Sequence, residues 1–236
     1  MRRTLEILNP GNLLSSERIK PTIILILAAL FPALHRSFGS MEFARRTFSS
    51  LTDFEVSLFM FATAFLIMGI LPFVIIVFVF RDPLKEYGLR LGDWKRGLPA
   101  MLILFVLVSG AIIFPASQTQ DMRAAFPFDK AATESIFAFL RLQFFRGLMF
   151  YTAWEFFFRG FMLFGLKKYL GDWMAICIQT IPSCLWHIGM PTGELLSSLL
   201  AGLLFGILAI RTHSILWVFL LHYSIGIILD VFIALT

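Results

Sequence analysis

Long apolar runs alternate with short polar ones along almost the whole chain, and the runs have the length that crosses a membrane. A spanning helix needs about 20 mostly apolar residues. By that measure the segments are 21–38, 54–80, 98–117, 149–166, 173–189, 195–210 and 214–234. The first is short, and the second is long enough to tilt or to kink at Pro72. Thr52 and Glu55 have the spacing of a capping box at the start of that second helix. The stretch 135–148 is also apolar but carries Arg141 and Arg146. Its pattern fits either an amphipathic lead-in lying in the interface or a separate eighth span. The expected fold is all-α: a polytopic transmembrane bundle of seven to eight helices. No repeat or low-complexity tract divides it, and the polar loop 81–97 is too short to fold alone. One membrane-embedded domain, 1–236, is expected.

Composition agrees with the pattern. The chain is 58% hydrophobic and only 15% charged, with a mean hydropathy of +0.84. Soluble domains carry about a quarter charged residues. The net charge of +5 comes from Arg and Lys grouped in the short polar segments rather than spread over a folded basic face, so it reports membrane orientation and not nucleic-acid binding. With seven spans and the N-terminus in the cytoplasm, twelve basic residues (Arg2, Arg3, Arg18, Lys20, Arg211 and those in 81–96 and 167–168) face inward. Five face outward: Arg36, Arg45, Arg46, Arg123 and Lys130. The first apolar run has no small-residue cleavage site after it and is expected to stay as a signal anchor. Cys177 and Cys184 share one apolar segment, about 10 Å apart on a helix, too far for a disulfide, and read as small buried residues.

In such a chain the informative residues are polar groups inside apolar helices, since a charge at the bilayer centre costs about 2.5 kcal/mol or more. Glu155, Arg159, His187 and His222 stand out. Glu155 and Arg159 are four residues apart, on one helix face and within ion-pair reach. They either only neutralise each other so that the helix can insert, or they build part of a site. A lone histidine in an apolar helix is most often a hydrogen-bonded core residue. Two of them on separate helices, with a buried Glu, make a set that could activate water directly or on a divalent ion. His35 and His213 lie beside Arg36 and Arg211 at helix ends, where interfacial solvation accounts for them. Trp94, Trp173 and Trp217 fit an aromatic belt. Gly-x-Ser-x-Gly and a glycine-rich phosphate loop are absent.

Glu-Phe-Phe-Phe-Arg-Gly at 155–160, a histidine after a Pro-containing apolar helix, and a histidine in the last helix together resemble the CAAX protease and bacteriocin-processing (CPBP) family of intramembrane metalloproteases. That family's pattern is Glu-Glu-x-x-x-Arg, Phe-x-x-x-His and His-x-x-x-Asn on successive helices. The resemblance covers roughly 151–230, within an expected catalytic-motif core of 150–234. The stretch 199–215 and the loop Tyr87-Gly-Leu-Arg-Leu-Gly-Asp-Trp94 are similar to segments of bacterial members. By position, Glu155 matches the second Glu of the pair, Arg159 the Arg, and His187 and His222 the two histidines.

The resemblance implies an intramembrane endopeptidase in a prokaryotic cell (inner) membrane, acting on a peptide or protein near the membrane face, with Glu- and His-activated water. A divalent metal such as zinc, if used, would need Glu155, His187 and His222 together, because two protein ligands leave a zinc site short. The chain departs from the pattern at Trp154 for the first Glu, Ser183 for the Phe and Gly226 for the Asn. Glu155 itself, Asp230 orienting His222, or Glu194 at the site's mouth could make up the loss, although a solvated loop charge is the plainer reading of Glu194. The alternatives are a catalytically inactive member that binds or scaffolds in the membrane, and a small transporter, which the absence of repeated halves argues against.

Overall fold

The computed structural model describes residues 16–235; Arg2 and Arg3, counted above among the inward charges, lie outside them. Helix α1 is Ser16–Phe38 and α2 is the short Met41–Thr47. They are followed by α3, Asp53–Phe80, and α4, Trp94–Ser117. A short α5, Gln120–Ala125, leads into α6, which runs unbroken over 136–170. Three more complete the bundle: α7 (Asp172–Trp186), α8 (Thr192–Thr212) and α9 (Leu216–Ala234). Strands are absent among the described residues. Five helical stretches are long and apolar enough to cross a membrane, namely Glu17–Thr47, α3, α4, α8 and α9. This is an all-α integral membrane protein.

The stretch 135–148 is not a separate span. It is the first part of α6, continuous with the expected helix 149–166, which extends to about 50 Å at 1.5 Å per residue. Its end is set by Gly171, whose φ of +78° starts the turn into α7. The capping box at Thr52 and Glu55 forms as its spacing predicts: Thr52 N donates to Glu55 Oε2 at 2.8 Å, and Glu55 N to Thr52 Oγ1 at 3.3 Å. Pro72 does not interrupt α3. The helix widens into π-type turns at Phe65–Ile70 and Ile75–Phe80, on either side of the residue that lacks an N–H.

The centre of the molecule is α6. Every residue from Phe156 to Phe164 is buried, as expected for a helix that is apolar all round. Helices α7 and α8 pack at close range because Gly202 stands against Thr180 and Gly206 against Ile176. Gln179 Nε2 on α7 donates to the Gly202 carbonyl at 2.8 Å. Outward faces remain apolar and exposed, at Phe78, Val106 and Phe137 among others, which is the surface a bilayer covers.

The loop before α4 is pinned to the turn between α8 and α9. Asp93 N donates to Thr212 O at 2.8 Å, Arg90 Nε to His213 O at 2.7 Å, and Trp217 Nε1 to Leu91 O at 3.0 Å. Gly92, at φ +64°, lets the two backbones approach where a side chain would overlap Thr212 O. Trp217 is therefore a buried strut, 6% exposed, and not part of an aromatic belt; Trp94 and Trp173 are exposed as a belt requires. His35 also departs from expectation. It is fully buried, receives Trp186 Nε1 at its Nδ1 (3.1 Å) and meets Met60 O through its Nε2 (3.1 Å), so one ring ties α1 to α7 and α3.

Candidate active site

Glu155 sits at the middle of α6 with no solvent exposure. Its Oε1 receives His222 Nδ1 from α9 at 2.6 Å and Arg159 Nη1 at 3.2 Å. Arg159 lies over the Phe205 ring of α8, 5.3 Å from its centroid, a placement that favours a cation. The i,i+4 spacing thus does more than neutralise two charges, because the carboxylate also fixes an imidazole on another helix. That hydrogen bond consumes Nδ1 and leaves Nε2 as the free face of His222.

His187 follows the last turn of α7. Its Nδ1 lies 2.8 Å from the Ser183 carbonyl, which can only accept. The proton therefore belongs on Nδ1, and Nε2 carries the lone pair. Nε2 is 3.8 Å from Glu194 Oε1, beyond direct hydrogen bonding and within reach of a bridging water. Trp154 holds the other side of this ring edge-on, with centroids 5.6 Å apart, and is itself 2% exposed among Phe158 and Trp186. The position where the family pattern has a first carboxylate is an apolar wall.

One cavity of about 160 Å³ joins these groups. His187, His222, Glu194, Arg159, Tyr151 and Trp154 all line it. At about 30 Å³ per liquid water, it has room for several molecules. Glu155 is not among its lining residues and stands behind His222. A larger apolar groove of about 840 Å³, between α3 and the residues around Gly88, approaches Glu155 from another side.

Two residues behave differently from their sequence readings. Glu194 is not a solvated loop charge. It lies in the first turn of α8, 22% exposed, with Oε2 buried and unpartnered. An acid in the first turn of a helix that opens just after a motif histidine was the available signal. Asp230 does not orient His222. It accepts Gln143 Nε2 at 2.6 Å and Arg146 Nη1 at 2.7 Å. Eight residues turn a helix by about 80° beyond two full circles, enough to carry Asp230 off the His222 face and onto the start of α6.

Glu155 Oε1 is taken by two donors, and each histidine is held through its Nδ1, which leaves its Nε2 free. Among the described residues no group of three or more His, Cys, Asp or Glu is arranged to hold an ion.

Residues 135–228 match the family model described as Type II CAAX prenyl endopeptidase Rce1-like. That stretch is of the CPBP/CAAX protease family. The match supports a CAAX-type intramembrane protease-like role, and it contains Glu155, Arg159, His187, Glu194 and His222. No curated protein and no solved structure matched the chain. Within the matched segment, the family's Asn position is Gly226. A methyl group placed there would overlap the Tyr151 hydroxyl oxygen, so another side chain already occupies that space.

Proposed function

We propose that the protein is an intramembrane endopeptidase that cleaves a membrane-associated peptide or protein, with water activated between His187 and Glu194. The observation that carries this reading is His187 Nε2 lying 3.8 Å from Glu194 Oε1, in a cavity that His222 also lines. A water bridging the two would lose a proton to His187 as its oxygen attacks the substrate carbonyl. Glu194 would then help pass that proton to the leaving amine. His222 faces the developing oxyanion, with its Nδ1 held by Glu155 behind it. Glu155 thus acts on the reaction by positioning His222, with Arg159 holding the carboxylate in place.

The apolar groove beside Gly88 suits a lipid chain attached to the substrate, which agrees with the prenyl endopeptidases named by the family model. The basic-residue distribution supports a cytoplasmic N-terminus, and the likeness of the 87–94 loop to bacterial members of the family points to a prokaryotic membrane.

The test uses the full chain in its own membranes. N-terminal peptide mapping of cells carrying the wild type, His187→Ala or Glu194→Gln would list cleavage events, and quenched peptides with a prenylated C-terminal Cys-aliphatic-aliphatic-X would be assayed in parallel. Cleavages present with the wild type and lost in both variants, at unchanged membrane abundance, support the proposal. Identical peptide maps and no peptide hydrolysis would overturn it and favour a binding or scaffold role.

A further inference from the structure

We propose that the Tyr151 hydroxyl is a catalytic hydrogen-bond donor to the oxygen of the scissile carbonyl, held in place by Arg146 and Asp230. This rests on the proteolytic reading above.

Tyr151 is one turn before Glu155 on α6, and its ring meets His222 edge-on with centroids 4.6 Å apart. The absence of a side chain at Gly226 is what admits the phenol to the face of α9. A Cβ there would overlap Tyr151 Oη and would lie 3.2 Å from Arg146 Nη2. The hydroxyl and the guanidinium therefore share one small volume, with Arg146 Cζ 5.2 Å from the centroid of the Tyr151 ring. Tyr151, Arg146, His222 and Gly226 all line the catalytic cavity.

The direction of the hydrogen bonds follows from the inventory of donors. Arg146 can only donate. It donates through Nη1 to Asp230, whose carboxylate also accepts Gln143. A guanidinium beside the phenol can only donate to its oxygen, which leaves the phenol hydrogen to point elsewhere. A chain of polarised contacts runs from Asp230 through Arg146 to that hydrogen. Arg146 Nε remains buried without a partner. A neutral phenol beside an arginine is a strong donor to a developing negative oxygen. The proton stays on Tyr151 throughout, and no bond to it breaks. Arg146 and Asp230 are positioning residues.

The experiment measures turnover of a substrate identified by the peptide mapping, in nanodiscs. Tyr151→Phe should lower kcat about 100-fold or more, the scale of losing one oxyanion donor, with KM unchanged. Tyr151→Ala combined with Gly226→Asn should regain about tenfold over Tyr151→Ala alone, since the vacated space accepts an amide donor. A fluorotyrosine at 151 keeps the packing and makes the phenol more acidic, so it guards against a folding artefact; kcat should change with that acidity. Wild-type kcat for Tyr151→Phe, or no response to fluorination, overturns the inference while the protease reading stands. A wild type that cleaves nothing removes both.

Discussion

Arg146 Nη1 and Asp230 Oδ2 meet at 2.7 Å, joining α6 to α9 at a depth where the two side chains are 4% and 0% exposed. Removing one partner strands the other charge, so Asp230→Leu should cost about 3–5 kcal/mol. The double change Arg146→Met with Asp230→Leu leaves neither charge unpaired, though Gln143 Nε2 loses its acceptor, and should recover a large part of that stability. Thermal unfolding in detergent compares them; a double variant as unstable as the single one would mean the pair is not what holds these helices.

Glu155 has two donors on one oxygen. Glu155→Ala would leave Arg159 buried and uncompensated, with a loss on the scale of about 3–5 kcal/mol. Glu155→Gln keeps an acceptor for both donors and should be milder. Membrane abundance and melting temperature should fall in the order Gln, then Ala, below wild type.

Trp154 fills the space beside His187. Trp154→Ala should cost about 3–5 kcal/mol through the cavity it opens, and Trp154→Phe distinctly less. If cleavage depends on His187 being held edge-on, activity per folded molecule should fall in the same order. Equal activity in all three would show that the wall does not orient the ring.

His35→Ala deletes a partner of the Trp186 indole and of Met60 O together. A buried donor or acceptor left unmatched costs about 1–3 kcal/mol. The expected reading is a lower melting temperature, with protease sensitivity appearing first in α1. His35→Asn, which can satisfy one of the two groups, should lie between.

Outside the spanning helices, Asp82 accepts Lys20 Nζ at 2.7 Å and Tyr87 Oη at 2.7 Å. Burial alone would push its carboxyl up, but the hydrogen bonds from Lys20 and Tyr87 outweigh it and hold the group below the usual range. A depressed carboxyl contributes stability that is present above its unfolded value of about 3.9 and is lost as pH falls through its folded value. Melting temperature should therefore decline below about pH 4 in the wild type and decline less in Asp82→Asn. Parallel curves for the two would assign the acid sensitivity elsewhere.

Helix order and the four polar anchors could be read from the sequence because a buried charge in an apolar run has few causes. The partner choices could not. Glu155 reaches His222 across 67 positions, and nothing in either segment encodes that contact. Asp230 looked close to His222 along the chain, yet helical rotation turned it toward Arg146. Glu194 sits near a proline and a glycine, the composition of a loop, and only the packing of α8 against α7 makes it face a cavity. His35 and Trp217 were misplaced for a shared reason. Both lie near the end of a run, where composition is the same for a residue facing headgroups and one turned inward. The stretch 135–148 stayed open because Arg141 and Arg146 looked alike, while one reaches Asp129 at the edge and the other Asp230 in the interior.

The length of α6 has a mechanical consequence. Gln143, Arg146, Tyr151, Glu155 and Arg159 all ride on one continuous helix, which widens into π-type turns at Arg146–Tyr151 and Phe156–Phe164 without ending. When the surrounding bilayer thins or thickens, such a helix tilts or slides more readily than it changes the spacing of the groups along it. Such a helix serves as a ruler, so a change of lipid would shift where a substrate is cut along its length more readily than it would dismantle the machinery that cuts it.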